Sequence, residues 1–228
     1  MKMNKYVQMI LIAAFLIIVL IIVYETTSRP SLVADSTCEL PCWNHVKLGE
    51  TNSAEFLKIL AHVSSVNKNH IVTVKLQNEA FYDTAISFAT GKDWTGFFHR
   101  TIAEAEILND RVIELIFQGE TDMILARVIE QFGAPDHIFA YYGPGGLGDV
   151  EVKIFFERAA VVVGFRLSNI EAEIKPEQSI DFISMVAPSY YQKRLESGAY
   201  TYFLENANFH NWTGYGSVKD KYWPPNLP

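Results

Sequence analysis

The chain has 228 residues, of which 49% are hydrophobic and 20% charged, and its net charge is −7. This composition excludes a disordered chain and predicts a packed core, enough for one domain or two small ones. Apart from two lysines near the N-terminus, 17 basic residues stand against 26 acidic ones. This acidic balance argues against nucleic acid as a partner of the domain as a whole.

The first predicted element is a transmembrane helix at residues 6–24, where Gln8 is the one clearly polar side chain. Nineteen helical residues span about 28 Å, roughly the hydrocarbon thickness of a bilayer. Lys2 and Lys5 precede the run, so the positive-inside rule places the N-terminus in the cytoplasm. The alternative, a cleaved signal peptide, would favour a shorter apolar run followed by small residues. We therefore expect a single-pass protein of the cell membrane, attached through residues 6–24, with its C-terminal domain extracytoplasmic.

The segment after the predicted anchor, residues 25–37, is polar, contains Pro30 and shows no sustained period, which predicts a flexible tether. The chain's two cysteines, Cys38 and Cys42, follow it. Outside the cytoplasm this pair predicts a small structural disulfide. A redox role would favour a C-x-x-C motif, and the spacing here is one residue longer.

An internal echo comes next, because Gly-Glu-Thr-Asn at residues 49–52 recurs as Gly-Glu-Thr-Asp at residues 119–122. Each copy opens a stretch of apolar residues with helical spacing, which predicts the start of a helix. In the first copy Thr51 or Asn52 can cap the helix, and in the second copy Thr121 can do so. The echo therefore predicts two similar units.

Stretches rich in β-branched and aromatic residues follow each predicted helix and predict strands. They lie at residues 70–76, 84–90, 102–107, 111–118, 137–142, 150–156 and 160–167. The pattern predicts an α+β fold, in which an N-terminal transmembrane helix is followed by two helix-plus-antiparallel-meander repeats with the helices on one face of the sheet. The predicted organisation comprises an N-terminus and anchor, a tether, two repeats, and a C-terminal helix with an aromatic tail, at residues 1–24, 25–37, 38–118, 119–187 and 188–228.

The predicted helix of the second repeat resembles an element of the BamE/SmpA-like class of small bacterial envelope domains. The similar part is Leu-Ala-Arg-Val-Ile-Glu-Gln-Phe-Gly-Ala-Pro-Asp at residues 125–136, opened by Gly-Glu-Thr at residues 119–121. Upstream, Cys-Glu-Leu-Pro-Cys-Trp at residues 38–43, followed by Gly-Glu-Thr at residues 49–51, is similar to the start of uncharacterised envelope proteins built from such units. The resemblance implies a binding or assembly module with another envelope protein as its partner, and it supplies no catalytic residues.

Residues with catalytic potential do not form a recognisable set, because the six histidines are dispersed and serine nucleophile motifs are missing. We therefore expect a protein that is not an enzyme and that needs no cofactor or metal. The candidate partner-binding residues lie in the aromatic tail: Trp212, Tyr215, Tyr222 and Trp223. Such aromatics can anchor a peptide or stack on sugars, or they can close over the domain as a strap. The alternative function is an envelope hydrolase or carbohydrate-binding protein that uses this tail, and the oligomeric state is left open.

Overall fold

A computed structural model of the protein describes residues 12, 14–17, 42–64, 66–76, 81–90, 101–119, 123–143, 148–198, 200 and 209–223. The chain divides into two compact units, Met1–Pro30 and Ser31–Pro228. The described residues of the first unit, Ile12 and residues 14–17, are helical. The second unit is built on a nine-stranded antiparallel sheet.

The predicted fold class is wrong, because a large antiparallel sheet with few helices replaces the α+β fold with an N-terminal transmembrane helix. Among the described residues, no helix has both the length and the apolar character needed to cross a membrane. Of the predicted span at residues 6–24, the structure describes Ile12 and residues 14–17. The predicted location as a single-pass protein of the cell membrane with an extracytoplasmic domain is contradicted by this finding. Membrane attachment through residues 6–24 stays a prediction.

The secondary structure of the second unit begins with two short paired strands and a helix: β1 (Cys42–Trp43), β2 (Val46–Lys47) and α1 (Ser53–His62). Four strands follow: β3 (Val66–Lys75), β4 (Thr84–Thr90), β5 (Thr101–Leu108) and β6 (Arg111–Gly119). The next elements are α2 (Leu125–Phe132), β7 (His137–Tyr142), β8 (Val150–Phe156), a 3-10 turn (Glu157–Ala159) and β9 (Val161–Leu167). The last are β10 (Glu173–Ile174), β11 (Phe182–Val186), α3 (Pro188–Glu196), β12 (His210–Asn211), β13 (Gly216–Ser217) and α4 (Val218–Lys221).

The strands of the sheet lie in the order β12-β7-β8-β9-β11-β6-β5-β4-β3, so two meanders meet where β6 pairs with β11. Each meander is preceded by a helix, and each Gly-Glu-Thr motif begins with a similar bond to the sheet. The Gly49 N–H, before α1, donates to the Val112 carbonyl of β6, and the Gly119 N–H, at the end of β6, donates to the Asp181 carbonyl beside β11, both at 2.8 Å. Both glycines have positive φ, +85° and +114°, a conformation that glycine adopts without strain. The boundaries of the predicted repeats stay predictions.

The starts of α1 and α2 differ although their sequences are similar. The Asn52 side chain accepts a hydrogen bond from the Glu55 N–H at 2.8 Å, which confirms the predicted cap of α1. By contrast, the N-cap of α2 is Ile124, which makes no side-chain cap. The predicted cap Thr121 lies outside the described residues, and α2 ends at Gly133 with φ +86°.

The main core lies between the two helices α1 and α2 and one face of the sheet, named here the first face. Its aromatic centre comprises Trp43, Phe56, Phe88 and Phe117, with ring centroids of neighbouring pairs 5.4 to 6.3 Å apart. A smaller cluster lies on the opposite, second face, under Tyr191 of α3. The helices of the two predicted repeats, α1 and α2, therefore lie on the first face, whereas α3, from the predicted C-terminal segment, covers the second.

The predicted disulfide joins a cysteine that the structure describes to one that it does not. Cys42 is a buried residue of β1, whereas Cys38 lies outside the described residues. No cysteine in the described part of the chain is a free thiol. The predicted Cys38–Cys42 bond itself lies outside the described residues.

Candidate functional site

Five polar side chains form a buried cluster between α3 and the second face of the sheet, named here the polar cluster. Its members are Glu106, Glu114, Ser184, Arg194 and Tyr200, each at most 8% exposed. The two glutamates lie directly opposite each other in the register of β5 and β6. Because paired residues of antiparallel strands point to the same face, both carboxyl groups lie under α3.

The contacts of the polar cluster centre on Arg194. Its Nη2 donates to Glu106 Oε1 at 2.8 Å, and its Nε lies 2.6 Å from Glu114 Oε2. Glu114 Oε1 also accepts hydrogen bonds from the Ser184 hydroxyl at 2.6 Å and the Tyr200 hydroxyl at 2.8 Å. A buried charge is costly unless it is paired and hydrogen-bonded, so the guanidinium fastens α3 to β5 and β6.

The protonation of the polar cluster follows from its burial. Burial first, and then repulsion from Glu114, raises the pKa of Glu106 from an ordinary 4.5 to about 8, although Arg194 acts in the opposite direction. Glu106 Oε2 is buried and has no hydrogen-bond partner among the described residues. Burial also raises the pKa of Tyr200 well above its usual range, so this hydroxyl stays neutral and can donate. At neutral pH Glu106 therefore holds a proton.

Two neighbouring carboxyl groups, one of them with a raised pKa, are a combination that acid–base enzymes use. Here Glu106 is 3% exposed and Glu114 is fully buried, so a substrate cannot touch them while α3 is in place. The arrangement instead suits a contact between α3 and the sheet whose stability depends on the protonation of Glu106.

A second polar group on the second face surrounds Lys153 of β8. Its Nζ lies 3.7 Å from the ring centroid of Phe182, a cation–π contact. Burial lowers the pKa of Lys153 and raises the pKa of Asp181. Nearby, the Tyr141 hydroxyl donates to Glu151 Oε2 at 2.5 Å. Lys153 therefore lies flat on the sheet instead of extending into solvent.

Gly164 makes room for this lysine. A Cβ atom at Gly164 would lie 2.8 Å from Lys153 Nζ and 3.2 Å from the Val152 carbonyl oxygen. We expect Gly164→Ala to displace the lysine and lower the free energy of unfolding by about 1 to 3 kcal/mol, measured by urea denaturation. Gly143→Ala is the matched control, because its Cβ would meet its nearest atoms at 3.5 Å. Equal losses in the two variants would contradict this account.

The four aromatic residues predicted to bind a partner lie together against the main core. Tyr222 is fully buried and Trp223 is 8% exposed, while Trp212 and Tyr215 are half-buried. The Trp212 and Tyr222 rings are stacked, with centroids 5.8 Å apart and an interplanar angle of 5°. The Tyr222 hydroxyl donates to the Gly214 carbonyl at 2.5 Å. This packing favours the strap interpretation of the tail over the binding interpretation.

Three apolar side chains instead remain exposed at one edge of the sheet. Val72, Val74 and Ile102, named here the sheet-edge patch, are 54%, 44% and 62% exposed. Cross-strand pairing places all three on the second face: Val72 is in register with Ser87 and Glu104, and Ile102 lies two residues before Glu104 on β5. In the described part of the sheet, β3 pairs with β4 alone and forms the outer edge.

Neither the polar cluster nor the sheet-edge patch was found from the sequence. A signal for the cluster exists in the Asn109-Asp110 turn, whose residues both have positive φ, as hairpin turns of the primed types require. A hairpin centred there pairs Ile107 with Val112, and the register shift that follows brings Glu106 opposite Glu114, so the turn gives only the approximate alignment. No comparable signal exists for the patch, because alternating Val72 and Val74 predict a buried face as readily as an exposed one.

The fold and these sites define a mainly antiparallel β-sheet domain with a buried ionic cluster. No known protein family, no curated protein and no solved structure matches this chain. The resemblance to BamE/SmpA-like domains therefore stays a prediction that depends on its two short motifs.

Proposed function

We propose that this chain is a protein-binding module without catalytic turnover, and that its docking surface is the sheet-edge patch. The observation that carries the proposal is the exposure of Val72, Val74 and Ile102 on one face at the edge of the sheet. Single exposed apolar residues are ordinary, but exposed apolar groups that share one surface favour an interaction site. The small side chain of Ser87 on β4 lies in register between Val72 and Glu104 and is half-buried.

The centre of the sheet-edge patch is acidic. Glu104 lies on the same face, half-buried, and accepts a hydrogen bond from the Ser87 hydroxyl at 3.1 Å. The complementary partner therefore presents apolar side chains together with a basic group. The net charge of −7 for the whole chain also favours a basic partner surface.

The alternative of a hydrolase or carbohydrate-binding protein that acts through the aromatic tail is not favoured. Tyr222 and Trp223 are buried in the core, so they offer no ring face to a sugar. The carboxyl pair of the polar cluster is also covered by α3.

The proposal is tested by placing a photoreactive phenylalanine analogue at Ile102 and irradiating cells that produce the protein. We expect a discrete crosslinked product. Val72→Lys should reduce its yield about tenfold, as for a loss of about 1.4 kcal/mol in binding free energy. Thr73→Lys is the matched control, because the neighbouring residue is exposed on the opposite face of β3 and should leave the yield unchanged.

A crosslinker at Arg166, an exposed residue on the same face near the other end of the sheet, reports nonspecific contacts. The same products from both positions, or no product from position 102, would overturn the proposal. A product between two copies of the chain would support docking at the patch and identify the partner as a second copy.

A further inference from the structure

We propose that α3 is a releasable cover of the second face, locked onto the sheet by the polar cluster and released when that cluster loses a proton. Release of α3 does not depend on docking at the sheet-edge patch.

The first support is the way α3 is attached. Its sequence, Pro-Ser-Tyr-Tyr-Gln-Lys-Arg-Leu-Glu, is mostly polar, and its buried residues are Tyr191 and Arg194. Arg194 contacts Glu106 and Glu114, and its guanidinium also lies over the Phe81 ring, with Cζ 5.9 Å from the ring centroid. Most surface helices are held by an apolar stripe alone. The attachment of α3 instead combines apolar packing of Tyr191 with a buried ionic contact.

The second support is the charge balance around Glu106. The described groups that face it are Glu104 on its own strand, Glu114 on β6 and Arg194 on α3. Tyr200 also faces the cluster through its bond to Glu114, and Lys193 on α3 is exposed. While Glu106 is protonated, one carboxylate is paired with one guanidinium. When Glu106 ionises, two buried carboxylates share one cation, and the excess charge is uncompensated.

The direction of the pH effect follows from the proton that Glu106 binds while α3 is closed over it. The pKa of Glu106 is about 8 in the closed state and returns toward its ordinary 4.5 when release exposes the carboxyl to water. Between these two values the closed state holds a proton that the released state has lost. The equilibrium constant for release therefore rises by up to about tenfold per pH unit across this window and levels off above about pH 8.

Release has a defined structural consequence. The cluster beneath α3, Tyr200 and Phe209 is apolar and contains Phe139, Phe155, Val162 and Val186. These side chains are buried when the cover is closed, because each is at most 2% exposed. Opening of α3 uncovers the part of this apolar surface that α3 covers, which binds a hydrophobic fluorescent dye.

The test measures hydrogen exchange of the α3 amides in the full chain, corrected for the intrinsic pH dependence of exchange. In the wild type we expect protection of α3 to fall by up to about 100-fold between about pH 6 and pH 8. Glu106→Gln keeps an oxygen for Arg194 Nη2 but has no titrating group, so its protection should not change over this range. Glu104→Gln, the neighbouring carboxyl on the same strand and face, should keep the wild-type profile.

The amides of α1 report on the rest of the domain in the same samples. They should stay protected while those of α3 lose protection. A wild-type profile that does not change with pH would overturn the proposal, as would a Glu106→Gln profile that falls like the wild type. Simultaneous loss of protection in α1 and α3 would also overturn it, because the transition would then be global unfolding and not release of a cover.

Discussion

Arg194→Ala is expected to lower the free energy of unfolding by about 3 to 5 kcal/mol, one of the largest effects of any single substitution in this chain. The variant leaves Glu106 and Glu114 buried, at 3% and 0% exposure, without their cation. It also removes the contact that fastens α3 to the centre of the sheet. Urea denaturation, followed by tryptophan fluorescence and by circular dichroism, measures the loss.

Gln192→Ala is the matched control for Arg194→Ala, because Gln192 is the exposed residue two positions earlier in α3. Its effect should stay within about 0.5 kcal/mol. A combined variant, Glu106→Gln with Glu114→Gln and Arg194→Met, removes the charges together and should recover part of the loss, since an apolar replacement of a buried ion pair is often tolerated. If Arg194→Ala costs no more than Gln192→Ala, the polar cluster does not hold α3.

Tyr222→Ala is the second large effect, with an expected loss of about 3 to 5 kcal/mol in the free energy of unfolding. The Tyr222 ring is fully buried, stacks on Trp212 and belongs to the main core. Its removal leaves a cavity between the tail and the domain. The loss is measured by denaturation of the full chain, and the two transitions detected by fluorescence and circular dichroism should coincide.

Tyr222→Phe separates the contribution of the hydroxyl from that of the ring. It removes the hydrogen bond to the Gly214 carbonyl and should cost about 1 kcal/mol. Asp220→Ala changes an exposed residue of the same short helix, α4, and should have little effect. The result also bears on function: a binding role for the tail requires Tyr222→Ala to leave folding intact, whereas the strap interpretation requires a large destabilisation.

Much of the local structure was predictable because its causes lie close together in the chain. The predicted strands at residues 84–90, 137–142 and 150–156 agree with β4, β7 and β8. Asn52 caps α1 through a residue three positions away. Periodicity, β-branched content and capping chemistry act over a few residues, so the sequence displays them directly.

The predicted location and fold class were wrong for a related reason. Hydropathy of residues 6–24 measures how well a helix would suit a bilayer, and most of these residues lie outside the described part of the chain. Likewise, the two predicted helix starts and seven predicted strands do not indicate how many strands join into one sheet. Its nine strands result from pairing of β6 with β11 and of β7 with β12, contacts between distant parts of the chain.

The sequence by itself determined the places of most strands and, to within one residue, the cap of α1. It left open whether the aromatic tail binds a partner or packs on the domain, and burial of Tyr222 favours the second. Only the tertiary structure assembled the polar cluster, in which Arg194 contacts a glutamate 88 residues away and Ser184 contacts one 70 residues away. The physical reason is that strand register and helix docking decide which polar groups share a buried space, and neither leaves a periodic signal along the chain.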